Sequence, residues 1–255
     1  MSTGNLTYLI TGANRGIGKG LTSSLLLRPN TTVIAGVRDV ASSTPILSSL
    51  PTGAGSKLIV VKLDSASESS ATSAVSELTT KHSITSIDVV IANAGTAHSG
   101  ASVATVSVSA LQDHFNVNTV GPVLLFQAVA PLLKASATGA PKFLAISTLI
   151  GSIAAQDQLP PTGGFAPYGS SKVALNWLVK RLHIEEQWLT AYVSHPGLVL
   201  TDMARSFVGS DENAKAMGGI TVEESVAGLL KTLDAATRES TGGVFKSYDG
   251  TGLPW

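Results

Sequence analysis

The sequence predicts an α/β fold in which a parallel sheet of about seven strands carries helices on both faces. Short apolar or β-branched runs alternate with amphipathic stretches along the chain, which is the pattern of repeated strand–helix–strand units. The first six runs are apolar or β-branched over four or more positions, as expected for strands buried on both faces of a sheet. The predicted strands are residues 6–10, 32–37, 57–62, 87–92, 142–147, 189–194 and 243–247.

Amphipathic stretches between these runs predict the helices. Apolar residues recur at helical spacing in residues 71–78, 175–182 and 222–233. Thr221 and Glu224 form a capping box directly before the last stretch, which indicates that a helix begins there. No linker, charge block or internal repeat separates a second unit, so residues 1–255 are expected to form a single domain.

The composition excludes several classes of site. Basic and acidic residues number 17 each, and this balance does not favour a nucleic acid or an anionic membrane as partner. The chain has no cysteine, so disulfides, thiolate catalysis and cysteine-ligated metals are excluded. The histidines lack the spacing of metal ligands, and no metal site is expected.

The beginning of the sequence predicts a cytoplasmic protein. Its first residues, MSTGNLTYLI, have neither the basic region nor the apolar stretch of a signal peptide. No apolar run approaches the roughly 20 residues that would span a bilayer. We therefore expect a cytoplasmic location without membrane association.

A glycine-rich turn follows the first predicted strand and precedes a helical pattern. Its sequence, TGANRGIG, places glycines at 12, 16 and 18. A phosphate that approaches a helix N-terminus needs exposed backbone N–H groups with no Cβ in the way, and Gly12, Gly16 and Gly18 meet both needs. Gly18 would also let the helix pack close to the strand. The alternative is a tight strand–helix turn that holds no ligand.

Tyr168 and Lys172 lie four residues apart at the start of a predicted helix, and such positions share a helical face. Reduction of a ketone leaves a developing alkoxide that must be protonated. A tyrosine hydroxyl, with an ordinary pKa of about 10, can donate that proton, and a neighbouring ammonium is expected to lower the pKa. A chance pair is the alternative, but the glycine turn in the same chain favours catalysis.

Four motifs together resemble the short-chain dehydrogenase/reductase family in order and spacing. They are the glycine turn, Asn93-Ala94-Gly95, the Tyr168–Lys172 pair and Pro196-Gly197. The resemblance covers nearly the whole chain and implies a Rossmann-type, doubly wound sheet with a dinucleotide site. Within this family, ITGANRGIG, HPGLVLTDM and DGTGLPW look most like fungal ketoreductases of the norsolorinic acid type.

The resemblance implies four catalytic side chains. Tyr168 would donate the proton, and Lys172 would lower the pKa of the tyrosine hydroxyl. Asn118 would help to hold a water-linked proton relay to the lysine. The alternative for Asn118 is an ordinary asparagine inside a helix. The fourth member is a hydroxyl that bonds the substrate carbonyl. The matching position holds Thr148, with Ser147 beside it, so the identity of this hydroxyl stays open.

The resemblance also implies the cofactor contacts. Asp64 would lie near the adenine, Asn93 would line the adenosine ribose, and residues 196–201 would seat the nicotinamide carboxamide. The alternatives are a helix N-cap for Asp64 and a simple turn for Pro196-Gly197. The implied contacts are Gly12, Asn14, Arg15, Gly16, Ile17, Gly18, Arg38, Asp64, Asn93, Ala94, Gly95, Tyr168, Lys172, Pro196, Gly197, Val199 and Thr201.

Arginines near the end of the second strand predict NADP(H) as cofactor. NAD-specific sites commonly place a carboxylate there, but this sequence has Val37, followed by Arg38. Arg15 lies in the glycine turn, and two guanidiniums could hold one 2′-phosphate from two sides. Asp39 complicates this assignment, because a register error of two would put an acid at the strand end; alternatively, it caps the next helix. The arginines could also be solvated surface charges.

These residues predict an NADPH-dependent carbonyl reductase for a ketone or aldehyde, hydrophobic, aromatic or polyketide-derived. The substrate loops, residues 156–164 and about 202–220, are expected to be irregular, since both are rich in loop-forming residues. Met203, Phe207 and Met217 offer apolar contacts there, although ordinary loop packing is the alternative.

Two other functions stay open at this stage. A dehydratase or epimerase could use the same fold, and so could a non-catalytic NADP-binding regulator. Tyr168 and Lys172 are both present, which disfavours the regulator. The family resemblance further implies a homodimer or homotetramer.

Overall fold

A computed structural model of the chain describes residues 5–98, 100–161 and 163–255. Residues 1–4 lie outside this part, and they belong to the stretch from which we predicted that a signal peptide is lacking. Thr162 of the first substrate loop also lies outside it. Within the described ranges seven parallel strands form one sheet in the order β3-β2-β1-β4-β5-β6-β7. The strands are β1 Leu6–Thr11, β2 Thr31–Val37, β3 Lys57–Lys62, β4 Val89–Ala92, β5 Lys142–Ile146, β6 Thr190–His195 and β7 Phe245–Ser247.

Helices cover both faces of this sheet. Leu9 and Ile10 are adjacent in β1, yet they belong to different buried apolar clusters, one on each face. The predicted doubly wound fold is therefore confirmed. The helices are α1 Gly16–Leu26, α2 Val40–Ser48, α3 Ser70–His82, α4 Val108–Phe115, α5 Gly121–Lys134, α6 Ala166–Glu185, α7 Asp202–Val208, α8 Asp211–Ala216 and α9 Val222–Ala235.

The direction of the connections reverses beside β1. This strand pairs with β2 on one side and with β4 on the other. The chain builds the sheet from β1 through β2 to β3 in one direction, and then crosses back to add β4 to β7 in the other. In open parallel sheets, ligands bind at such a switch point, beyond the carboxyl ends of the strands. The loops that follow β1, β4, β5 and β6 are therefore the candidate ligand-binding region.

The prediction of an irregular loop over residues 202–220 is wrong, because α7 and α8 lie in it. Thr201 caps α7 by accepting the N–H of Ala204, and Ser210 caps α8 by accepting the N–H of Asn213. The base of the segment is closed by pairing between Val199 and Ile220. The other predicted loop, residues 156–164, contains a 3₁₀ turn at Gln156–Gln158.

One long helical stretch invites comparison with a membrane-spanning helix. Val108–Lys134 forms a helical stretch of 27 residues, with a window of mean hydropathy 1.3 that passes this test by length and composition. In the fold, this stretch contributes Leu125, Val129 and Leu133 to the apolar cluster on one face of the sheet. It is accordingly a helix of the protein core.

Candidate active site

The glycine turn after β1 forms a surface of backbone atoms at the amino end of α1. Gly12 and Gly16 have φ angles of +65° and +50°, a left-handed conformation that glycine adopts without strain. A Cβ on Gly18 would overlap the carbonyl oxygen of Gly12 and lie 2.6 Å from Nδ2 of Asn93. The turn therefore admits no larger side chain at position 18 and fits an approaching phosphate.

We expect Gly18→Ala to destabilise the protein by about 1–3 kcal/mol, the usual cost of overpacking. The added methyl group would meet backbone atoms that cannot rotate away. Chemical denaturation measures the effect. Gly252→Ala is the matched control, because a Cβ at Gly252 meets nothing within 4 Å. Equal stability of the two variants would contradict the close packing inferred at Gly18.

Thr11 and Asn93 join the ends of β1 and β4. The hydroxyl oxygen of Thr11 accepts the N–H of Asn93 at 3.0 Å and that of Ala94 at 2.9 Å. The amide of Asn93 in turn donates to the carbonyl of Thr11 at 2.9 Å. Sequence reasoning missed Thr11, although a hydroxyl residue at a strand end, directly before the glycine turn, was the available signal. These bonds hold two predicted cofactor motifs side by side.

The helix α6 presents Tyr168 and Lys172 to the carboxyl end of β5. Lys172 is 4% exposed, and its Nζ donates to the carbonyl of Ile146 at 2.8 Å. The hydroxyl of Thr148 is close enough to that of Tyr168 to lower its pKa, and Nζ of Lys172 lies 5.9 Å from the centre of the Tyr168 ring. Three of the four predicted catalytic side chains thus meet in one place.

Burial dominates the electrostatics of this pair. It raises the pKa of Tyr168 to about 12, an effect that the hydrogen bond with Thr148 partly offsets. Burial also lowers the pKa of Lys172 to about 8. The expectation that Lys172 brings the pKa of Tyr168 below its ordinary value is therefore wrong for the protein chain itself, and Tyr168 holds its proton at neutral pH.

The two hydroxyls after β5 face different partners. Ser147 continues the alternation of Phe143 and Ala145 toward one face of the sheet, and its hydroxyl donates to Oδ1 of Asn176 at 2.5 Å. Thr148, one residue further on, carries the hydroxyl that lies beside Tyr168. Geometry therefore favours Thr148 over Ser147 at the reacting position. Asn176 was not among the site residues predicted from the sequence.

Asn118 lies in a π-helical turn, Asn116–Val120, between α4 and α5. Its Oδ1 accepts the N–H of Thr96 at 2.8 Å, while Nδ2 donates to the Thr96 carbonyl at 2.8 Å and to Oγ of Ser171 at 3.0 Å. A Cβ on Gly95 would lie 3.2 Å from this Oδ1 and 3.7 Å from Nζ of Lys172. Because Gly95 has no side chain, there is space between Asn118 and Lys172.

The loop after β6 runs beside the glycine turn. Ser225 holds it from below by donating to the carbonyl of Pro196 at 2.6 Å. Gly197 has a φ of +88°, and Thr201 lies 3.4 Å from where a Cβ on Gly16 would stand. The structure therefore brings residues 196–201 to the same side of the sheet as the predicted phosphate site.

Arg15 and Arg38 are exposed, and in the described ranges neither side chain forms an ion pair. β2 ends at Val37, and Asp39 caps α2 by accepting the N–H of Ser42 at 3.2 Å. The acid is therefore past the strand end and engaged in the helix cap. This result resolves the question of register in favour of Val37.

Asp64 lies just after β3, where its carboxylate accepts the N–H of Ala66 at 3.0 Å. The N-cap of α3 is Ser69, so Asp64 is not the cap of that helix. Its predicted place beside the adenine stays a prediction.

The sequence profile of short chain dehydrogenases matches residues 7–212. The chain belongs to the short chain dehydrogenase family. Its members are oxidoreductases, which agrees with a site that joins a glycine turn to a tyrosine and a lysine.

Curated relatives in the family cover nearly the whole chain. A norsolorinic acid ketoreductase of Dothistroma septosporum is 44% identical over 98% of this chain and 92% of its own length. The norsolorinic acid ketoreductase of Aspergillus parasiticus is 42% identical over 97% and 90%, respectively. The predicted resemblance to fungal ketoreductases of this type is thus confirmed.

Solved structures of family members share the fold. The NADPH-bound carbonyl reductase from chicken fatty liver superposes with a TM-score of 0.83 at 28% identity, covering 99% of this chain and 100% of that one. The carbonyl reductase Sniffer of D. melanogaster gives a TM-score of 0.81 at 27% identity, with the same coverage.

In this short chain dehydrogenase, α7 places an aromatic side chain over Tyr168. The ring centre of Phe207 lies 5.7 Å from that of Tyr168 and 6.0 Å from that of Phe165. Met203 and Met217, from the same segment, are exposed. The side of the site next to Tyr168 is therefore aromatic, and the predicted substrate contacts of Met203 and Met217 stay a prediction.

Proposed function

We propose that this protein is an NADP(H)-dependent carbonyl reductase that converts a ketone or aldehyde to the alcohol. The observation that carries the proposal is the placement of the Tyr168 and Thr148 hydroxyls side by side, near the buried Lys172. Both hydroxyls can bond one carbonyl oxygen, as reduction requires. Dehydration or epimerisation has no comparable support in the site.

The residues present fit NADP(H) at the carboxyl edge of the sheet. In the glycine turn, Gly12, Gly16 and Gly18 have no side chains, which suits a pyrophosphate at the amino end of α1. Arg15 and Arg38 are free to bond a 2′-phosphate, and the strand end carries Val37 in place of an acid. The NADPH-bound carbonyl reductase of the same fold supports this choice. When bound, NADPH supplies the hydride.

The protein's own groups manage the proton. Thr148 positions the carbonyl oxygen, and Tyr168 transfers its hydroxyl proton to that oxygen as negative charge develops. The high pKa of Tyr168 keeps this proton in place until then. The ammonium of Lys172 stabilises the phenolate that remains. Asn118 holds the water-linked relay that returns a proton from the side of Gly95.

The proposed substrate is a hydrophobic or aromatic carbonyl compound, such as one derived from a polyketide. Phe165 and Phe207 offer ring faces beside Tyr168, against which a flat aryl ketone can stack. The curated relatives are named for their action on norsolorinic acid. A homodimer or homotetramer, as the family resemblance implies, and a cytoplasmic location complete the proposal.

NADPH consumption with a panel of aryl ketones, diketones, quinones and aliphatic ketones tests the proposed function. We expect turnover of aryl ketones, with formation of the alcohol, and weaker turnover of small aliphatic ketones. The variant Tyr168→Phe serves as the control for non-enzymatic loss of NADPH. If no carbonyl compound accelerates NADPH loss above this control, the proposal fails.

Cofactor preference gives a separate prediction. We expect kcat/KM for NADPH to exceed that for NADH at least about tenfold, because about 1.4 kcal/mol of net phosphate recognition suffices. The double variant Arg15→Ala, Arg38→Ala should lose most of this preference and keep its activity with NADH. Steady-state kinetics with both cofactors measures it. Equal use of the two cofactors by the unaltered enzyme would overturn the assignment of the arginines.

A further inference from the structure

Helix α6 contacts the segment after β5 at three successive turns. Tyr168 lies beside Thr148, and Lys172 donates to the carbonyl of Ile146, the last residue of β5. One turn further along, Asn176 bonds the same segment. The proposed function gives a role to the first two contacts and leaves the third unexplained.

The amide of Asn176 is buried, with 3% of the residue exposed, and both of its ends are engaged. Oδ1 accepts the hydroxyl proton of Ser147 at 2.5 Å, and Nδ2 donates to the carbonyl of Gly151 at 2.9 Å. Ser147 precedes Thr148 directly, and Gly151 ends the 3₁₀ turn that follows it. A single side chain therefore ties together the two ends of the loop that carries Thr148.

Further contacts show why the position of this loop matters for Thr148. The Thr148 Oγ1 accepts the N–H of Ile150 at 3.3 Å, so the turn also orients the hydroxyl. A Cβ on Gly151 would lie 2.8 Å from the Cβ of Lys172, so the loop and α6 are in close contact. Without Asn176, the carbonyl of Gly151 and the hydroxyl of Ser147 would lose their partners, and the loop would relax away from this position.

We infer that Asn176 is a positioning residue, which holds the Thr148 hydroxyl at the distance that Tyr168 and the substrate carbonyl require. The inference rests on the proposed function, because it assumes that Thr148 bonds the substrate. Asn176 is buried, and both ends of its amide are already bonded to the loop. Its effect on catalysis must therefore pass through Thr148.

A double-mutant cycle on kcat/KM tests this dependence. Misplacement of a reacting group by about 1 Å can cost up to about 10²-fold, and we expect Asn176→Ala to cost about tenfold. In a Thr148→Val background the same change should cost less than about twofold, because the hydroxyl that it positions is gone. The dissociation constant for NADPH should stay within about twofold in all variants.

Asp88→Ala is the control for a loss of stability alone. Asp88 is buried before the amino end of β4, where it accepts hydrogen bonds from Thr7 and Ser136. Asp88→Ala therefore removes two hydrogen bonds, as Asn176→Ala does, but at the amino ends of the strands and not at their carboxyl ends. We expect its Tm to fall while kcat/KM is retained.

Each result of the cycle decides the inference. Equal losses from Asn176→Ala with and without the Thr148 hydroxyl would overturn it, as would normal kcat/KM in Asn176→Ala. If Asn176→Ala does not fold, Ser147→Ala replaces it in the cycle, since it removes one of the two bonds that hold the loop. Full activity of Thr148→Val alone would refute the hydroxyl assignment itself, and that failure belongs to the proposed function.

Discussion

Replacing Tyr168 with phenylalanine is expected to lower kcat at least about 10²-fold, the low end of what a positioned general acid contributes. The ring and its contact with Phe207 would remain, so the site should keep its shape. Only the hydroxyl that donates the proton, next to Thr148, would be removed. Steady-state kinetics with an aryl ketone measures the loss.

Binding of NADPH is the control for this variant. Because the phenylalanine ring fills the same volume, the dissociation constant for NADPH should change little. Turnover close to that of the unaltered enzyme would refute the assignment of Tyr168 as proton donor. A loss of NADPH binding as large as the loss of kcat would mean that the variant disturbs the cofactor site.

Thr148→Val is expected to lower kcat/KM by about 10²- to 10³-fold, the usual cost of removing one donor from a developing oxyanion. Valine nearly keeps the shape of threonine, so packing should change little. The hydroxyl beside Tyr168 would be lost, and with it the second donor to the substrate carbonyl.

Ser147→Ala is the matched comparison, because it removes the neighbouring hydroxyl. That hydroxyl is engaged with Asn176 and faces away from Tyr168, so the loss in kcat/KM should be clearly smaller. Kinetics of both variants with the same ketone ranks the two residues. A reversed ranking would show that the reacting hydroxyl belongs to Ser147.

The strands could be predicted because burial on both faces leaves a direct trace in the sequence. Every residue of Thr31–Val37 is buried, and its apolar and β-branched run reflects this. The helices α7 and α8 left no such trace. Each is about two turns or less, and the Ser, Asp and Gly residues that indicate a loop include Ser210, which caps α8.

The candidate site could be predicted where its chemistry depends on spacing along one element. Tyr168 and Lys172 meet because one helix carries both. Asn176 could not be found in this way, since its partner Ser147 is 29 residues distant and becomes a neighbour only in the fold. The pKa of Tyr168 was mispredicted for a related reason, because burial depends on the packing around the phenol.

Transfer of deuterium tests the central claim most directly. NADPH labelled with deuterium at the transferable position of its nicotinamide would be incubated with the enzyme and an aryl ketone from the panel. We expect an alcohol that carries the deuterium on its carbinol carbon, formed in the same amount as NADPH is consumed. Consumption of NADPH without a labelled alcohol, or conversion of the ketone without consumption of NADPH, would contradict it.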